Sequence, residues 1–112
     1  MRFGTLERAL LSVCPEVSHY TAVCGGARYI VWAEEGQGAA QYADDRMLEQ
    51  AVEGWIDLYT TTEDDPAADA LQKALDAAGI AHWLDGVTPP DSAGRICWSW
   101  GWMCVPDPPE GG

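Results

Sequence analysis

The sequence predicts an α+β fold: an antiparallel sheet of about four strands with two helices packed on one face, in the order α-β-β-α-β-β. Two kinds of periodicity predict it. Apolar residues recur every three or four positions at Phe3, Leu6, Leu10 and Val13 and again at Ala68, Leu71, Leu75 and Ala78, the spacing of one helix face. They alternate with polar residues around 52–59 and 96–104, the spacing of half-buried strands. The length sets the scale, since 112 residues, 47% of them apolar, suffice for one hydrophobic core and leave no room for a second. A single domain over 1–105 and a flexible tail over 106–112 are expected.

The first helix has Thr5 as the expected N-cap, and Pro15 stops its pattern. Residues 17–23 are ambiguous, with a short strand as one reading of them. Cys24-Gly25-Gly26 then turns the chain into Arg28-Tyr29-Ile30-Val31-Trp32-Ala33, whose β-branched and aromatic content suits a strand. Residues 34–45 are acidic, rich in glycine and alanine and without periodicity, so a long mobile loop is expected there, of a length that suggests use in binding. A long strand is expected over 47–62, with Val52, Gly54, Ile56 and Leu58 on one face and Glu53, Trp55, Asp57 and Tyr59 on the other.

The second helix is bounded by the strongest signals in the chain. Asp65 is the expected N-cap and Pro66 the first helical residue, and Gly79 is the expected left-handed residue that ends the helix. A short strand over 80–84, turns at Asp85-Gly86 and Thr88-Pro89-Pro90-Asp91, and a last strand over 95–105 complete the order. In that last strand Ile96, Trp98, Trp100, Trp102 and Cys104 share a face. Pro106, Pro108 and Pro109 cannot continue it.

Eighteen acids against six bases leave a net charge of −12. Such a field repels phosphates and argues against a surface that grips nucleic acid. The longest apolar runs fall far short of the about 20 residues that span a bilayer, and no membrane partner is expected. Glu7 and Arg8 interrupt any apolar run near Met1, so the chain is expected to remain in the cytosol at synthesis.

Three constellations invite a chemical reading. Glu63-Asp64-Asp65 with Asp69 resembles a cation site, but three acids beside Pro66 are what helix capping and the helix dipole ask for, and capping is the reading we adopt. Cys14, Cys24, Cys97 and Cys104 with His19 and His82 are enough ligands for zinc. Neither cysteine pair has the spacing of a zinc knuckle, and Cys97 and Cys104 fall on opposite strand faces, so free thiols packed as small hydrophobes are expected. The ladder Trp98, Trp100, Trp102 could stack planar ligands, but aromatics at strand spacing serve more often as core and subunit interface. No cofactor, no metal and no catalytic residue is expected. A small hydrolase using Asp, Glu and His82 ranks last, because nothing in the sequence marks a nucleophile or a phosphate loop.

Several short signatures together resemble the small tail-terminator proteins of long-tailed bacteriophages, also called tail-completion or minor head-tail joining proteins. They are Tyr29-Ile30-Val31-Trp32, Gly38-Ala39-Ala40-Gln41-Tyr42-Ala43-Asp44, Trp55-Ile56-Asp57-Leu58-Tyr59-Thr60, Glu63-Asp64-Asp65 and Leu75-Asp76-Ala77-Ala78-Gly79-Ile80. The resemblance covers about residues 3–104. It implies a non-enzymatic structural protein of the virion neck, assembled in the host cytoplasm. Six copies would form a ring that caps the tail tube, stops its polymerisation and presents a surface to the head-tail connector proteins. Its partners would be further copies of itself, the tube protein and the connector, with DNA passing through unbound.

An acidic channel suits that passage, and some of Glu34, Glu35, Asp44, Asp45 and Asp57 are expected to face it. Gln37, Gln41, Tyr42, Arg46, Trp55, Tyr59 and Trp100 are the expected subunit or tube contacts. The competing reading is an acidic DNA mimic that inhibits a nucleic-acid enzyme. It would place the acids in a regular double row, whereas many sit at a helix cap and in a loop.

Overall fold

Helix α1 (Gly4–Leu11) and strand β1 (Val17–His19) are followed by β2 (Tyr29–Gln37), β3 (Val52–Thr60), α2 (Ala67–Ala77), β4 (Ala81–Thr88) and β5 (Ile96–Cys104). The computed structural model describes residues 2–22, 26–37 and 51–107. The strands form one sheet in the order β1-β2-β3-β5-β4. The pairs β2/β3, β3/β5 and β4/β5 are antiparallel, while β1 runs parallel to β2. The α+β class with two helices holds, but the sheet has five strands and is mixed, where four antiparallel strands were expected. The added strand is the three-residue β1, part of the ambiguous segment. It owes its conformation to pairing with β2, Val17 lying opposite Ile30, which no local periodicity reports.

The helices lie on one face. A single core joins Leu6 and Leu10 of α1 and Leu71 and Leu75 of α2 to Ile30, Trp32, Ile56, Leu58, Trp100 and Trp102 of the sheet. Trp32, Trp100 and Trp102 are completely buried, and Phe3 meets Trp32 and Trp102 edge-on at 6.0 and 5.3 Å. Each indole of the β5 ladder finds an acceptor. Trp98 Nε1 donates to Thr60 Oγ1 at 3.1 Å, Trp100 Nε1 to Gln72 Oε1 at 3.2 Å, and Trp102 Nε1 to the Trp55 carbonyl at 3.1 Å. Gly54 lies opposite Trp102 in the register, and a Cβ there would overlap both that indole and the β2 backbone.

Helix α2 begins and ends as its sequence dictates. The Asp65 carboxylate accepts from the Ala67 N–H at 2.9 Å, and Pro66 already has helical dihedrals, φ −66° and ψ −10°. Arg28 clamps the same carboxylate through Nε at 3.0 Å and Nη2 at 2.7 Å, which binds the start of α2 to the chain entering β2. At the other end Gly79 takes φ +72°, its N–H reaches the Asp76 carbonyl, and the Ile80 N–H reaches the Leu75 carbonyl. That is a complete Schellman closure.

Four expectations are corrected. Thr5 does not cap α1: Phe3 holds the N-cap position, and the Asp107 carboxylate instead accepts from the Thr5 N–H at 3.2 Å and its hydroxyl at 3.0 Å. Asp107, expected in the flexible tail, is held to the N-terminal segment, its N–H also donating to the Arg2 carbonyl at 2.9 Å, and residues 108–112 of that tail lie outside the described residues. Residues 34–37 belong to β2, paired with β3 around a bulge at Glu35, and the rest of the expected loop lies outside the described residues. Asp85-Gly86 is likewise a bulge within β4 rather than a turn, so β4 runs to Thr88. The strand expected over 47–62 runs from Val52 to Thr60, with its two faces as assigned; residues 51, 61 and 62 are not strand, and 47–50 lie outside the described residues.

Candidate interaction surface

Strand alternation sends the odd-numbered residues of β3 and β5 to the sheet face opposite the helices, where no described helix packs. Across β2, β3 and β5 the register places Tyr29 beside Tyr59 and Cys97, Val31 beside Asp57 and Ser99, and Ala33 beside Trp55 and Gly101. Tyr29 and Tyr59 stack at 4.6 Å, with the Arg95 guanidinium 5.8 Å from the Tyr29 ring centre. From β4, the Trp83 indole lies over Gly101, so close that a Cβ at residue 101 would displace it. The surface therefore offers Trp55 and Tyr59, both half-buried, and Trp83, 42% exposed, around a narrow polar row.

That row is partly desolvated. Ser99 Oγ donates to Asp57 Oδ1 at 2.8 Å and lies 3.6 Å from Cys97 Sγ. Burial pushes the Asp57 carboxyl above its ordinary value, against the lowering effect of the Ser99 bond. Burial also raises the Cys97 thiol, with the Asp57 charge adding to it, and lifts the Tyr59 phenol to about 12. A thiol held protonated beside a carboxylate is the opposite of an activated nucleophile. Neither described histidine serves this row: His19 bonds Glu34, and His82 Nδ1 donates to the Ile80 carbonyl at 3.0 Å. The arrangement suits contact with another surface better than covalent chemistry.

A second cluster lies on the helix side of the sheet. His19 is sandwiched between Trp32 and Tyr20, each ring 4.0 Å away, and its Nε2 meets Glu34 Oε1 at 2.5 Å. Tyr20 adopts φ +70°, rare for a bulky side chain, to cover the imidazole. Burial raises the Glu34 carboxyl, but its bonds to His19, its own backbone N–H and Tyr20 outweigh that and hold it below its ordinary value. With Arg2, Phe3, Gly4, Glu7, His19 and Trp32 it lines a cleft of about 310 Å³.

The structure divides the expected contact residues. Trp55 and Tyr59 come together on the helix-free face. Trp100 does not join them: it is 1% exposed within the core and bonded to Gln72, so its assignment as a contact is corrected. Even numbering placed it with the helix-facing half of β5. Gln37 ends β2. Gln41, Tyr42 and Arg46 lie outside the described residues, as do Asp44 and Asp45.

The remaining acids do not share a surface. Glu34 is paired with His19 on the helix side, Asp57 is half-buried and bonded to Ser99 on the other, and Glu35 is the exposed extra residue of the β2 bulge. Glu34 and Asp57 thus lie on opposite sides of the sheet, so one lining can hold some of these acids and not all of them. Sequence reasoning missed Trp83 and Ser99 as members of the face. Alternation through β4 was the available signal, and the Asp85-Gly86 bulge interrupts it.

Of the cysteines, Cys14 is buried and Cys97 and Cys104 are half-buried, all three as free thiols, with Cys97 and Cys104 on opposite faces as expected. Cys24 lies outside the described residues. Among the described residues no helix is long and apolar enough to cross a membrane. Comparison with protein-family models, with curated proteins and with solved structures finds no match to this chain.

Proposed function

We propose that the chain is a structural assembly protein of the tail-terminator kind. Its copies close into a ring, six to the ring, that caps a tail tube, ends its polymerisation and offers a surface to the head connector. The reading rests on the resemblance of its sequence signatures. The observation that supports it best is the helix-free sheet face, where Trp55, Tyr59 and Trp83 surround a desolvated Asp57 and Ser99. Aromatics around a partly buried polar row are typical of the centre of a protein interface. Heterologous contacts through such a face close into a ring when the rotation between neighbours divides a full turn. A surplus of 12 negative charges lets DNA pass a ring without sticking.

The test is light scattering behind size exclusion over a wide concentration range, with negative-stain imaging of any large species. Six-subunit rings that disappear in Trp55→Ala and Tyr59→Ala support the reading. A monomer at every concentration that also ignores isolated tail tubes defeats it. A monomer that instead captures a basic nuclease with steep salt dependence points to the acidic inhibitor.

A further inference from the structure

Strand β4 is an edge of the sheet that the described residues form. It pairs with β5 on one side, and among the described residues no strand pairs with the other. Every residue of β4 except His82 is exposed, including Trp83 at 42%, Leu84 at 49% and Val87 at 46%. Natural edges of this length are usually blunted by lysine, proline or a covering segment. β4 contains neither lysine nor proline, and its one charged residue is Asp85, at the bulge.

The side chains along this edge form a built surface. Leu84 and Val87 lie opposite Trp100 and Trp98 in the register, on the helix side of the sheet. There Val87, Pro89, Pro90, Ile96 and Trp98 line a groove of about 320 Å³, with Glu63 in its wall. Trp83 occupies the opposite side, over Gly101. The edge thus combines a row of backbone donors and acceptors that no strand among the described residues pairs, apolar surface on both sides, and carboxylates at Glu63 and Asp85.

Charge decides the occupant. A second copy would bring a further −12 to an edge whose one charged residue is Asp85, and net charges of like sign oppose that approach. The hairpin from Ala81 to Cys104 carries Asp85 and Asp91 against one base, Arg95, which is placed over the Tyr29 ring. We infer that β4 is a docking edge for an extended segment of a partner protein that combines apolar and basic side chains and adds to the sheet as a sixth strand. Its apolar residues enter the groove beside Trp98, and its cations alternate to the other side of the added strand, where they meet the Trp83 indole within the acidic field of the chain. This inference shares Trp83 with the face proposed for ring assembly, but it rests on the β4 edge and on the groove on the helix side, which that face does not include.

The experiment titrates the full chain with a fluorescent peptide of about eight residues alternating valine and lysine. Two controls run beside it: a valine-glutamate peptide, and a valine-lysine peptide N-methylated at alternate backbone nitrogens. The expected result is saturable binding of the first peptide alone, weakened about tenfold or more in the double variant Leu84→Lys, Val87→Lys. Both positions are exposed, so the variant should keep the parent circular dichroism and melting temperature. Binding that survives N-methylation or the double substitution would falsify the edge assignment, because it is then general attraction to an acidic surface. No binding by the folded chain sinks the inference outright. Dimerisation of the parent that the double variant abolishes gives the edge to a second copy and overturns it equally.

Discussion

Asp57 and Glu34 are both acids on strands, yet their surroundings act on them in opposite senses. Asp57 is raised by burial, so the fold favours its neutral form. Its contribution is full below the carboxyl's unfolded value and is lost as pH rises through the folded one. Asp57→Asn keeps a hydrogen-bonding partner for Ser99 and removes the buried charge. It should raise the stability at neutral pH by less than about 1 kcal/mol, because the site is half open to solvent, and with it the melting temperature; the gain should vanish in acid. Glu34 is held below its ordinary value by His19, its backbone and Tyr20 in spite of burial. Its contribution is present above the unfolded value and is lost as pH falls through the folded one. Glu34→Gln should therefore lower the melting temperature at neutral pH, with the difference closing in acid. Melting curves of both variants from pH 3 to 8 check the two signs, and parallel behaviour of the pair would contradict this account. Neither environment could be read from sequence, because Ser99 lies 42 positions from Asp57 and His19 lies 15 from Glu34.

At the scale of elements, legibility followed locality. α2 was legible because its signals are consecutive: Asp65 and Pro66 at one end and Gly79 at the other. The faces of β3 and β5 were legible because alternation is uninterrupted along both. β1 was not, since three residues carry no period, and β4 was cut short because Asp85-Gly86 has the composition of a turn while serving as a bulge. The β3–β5 pair also fixes a requirement that sequence alone does not reveal. The Trp102 indole crosses Gly54, and added volume there has nowhere to go against the β2 backbone. Gly54→Ala should cost about 1–3 kcal/mol in denaturant unfolding, an overpacking penalty. Gly101→Ala should cost less and act differently. It displaces Trp83, which is already partly exposed, and should change tryptophan fluorescence more than stability.

For the whole molecule the governing property is charge. Eighteen acids against six bases make a compact state that repels itself, and added salt screens that repulsion. The melting temperature should rise between low and physiological ionic strength, and association between copies should strengthen in the same direction. A flat or falling dependence would mean that the acids are locally compensated. Composition made this property legible from the start, but it did not say which acids share a surface. That is decided by the sheet, which separates Glu34 from Asp57. The candidate face was half legible for the same reason: Trp55 and Tyr59 follow from alternation in β3, whereas Trp83 arrives from a strand 28 residues further on.

The bond from Asp107 to the first turn of α1 spans 102 positions. Its closure belongs to the end of the folding reaction, because a loop of that length gains its contact only after β5 has paired. The first turn of α1 should then be unformed in the rate-limiting state, and Asp107→Ala should accelerate unfolding several-fold while leaving the refolding rate almost untouched. In a chevron plot only the unfolding arm should move. Residue 107 would then act as a kinetic latch, setting how long the molecule stays folded rather than how fast it gets there.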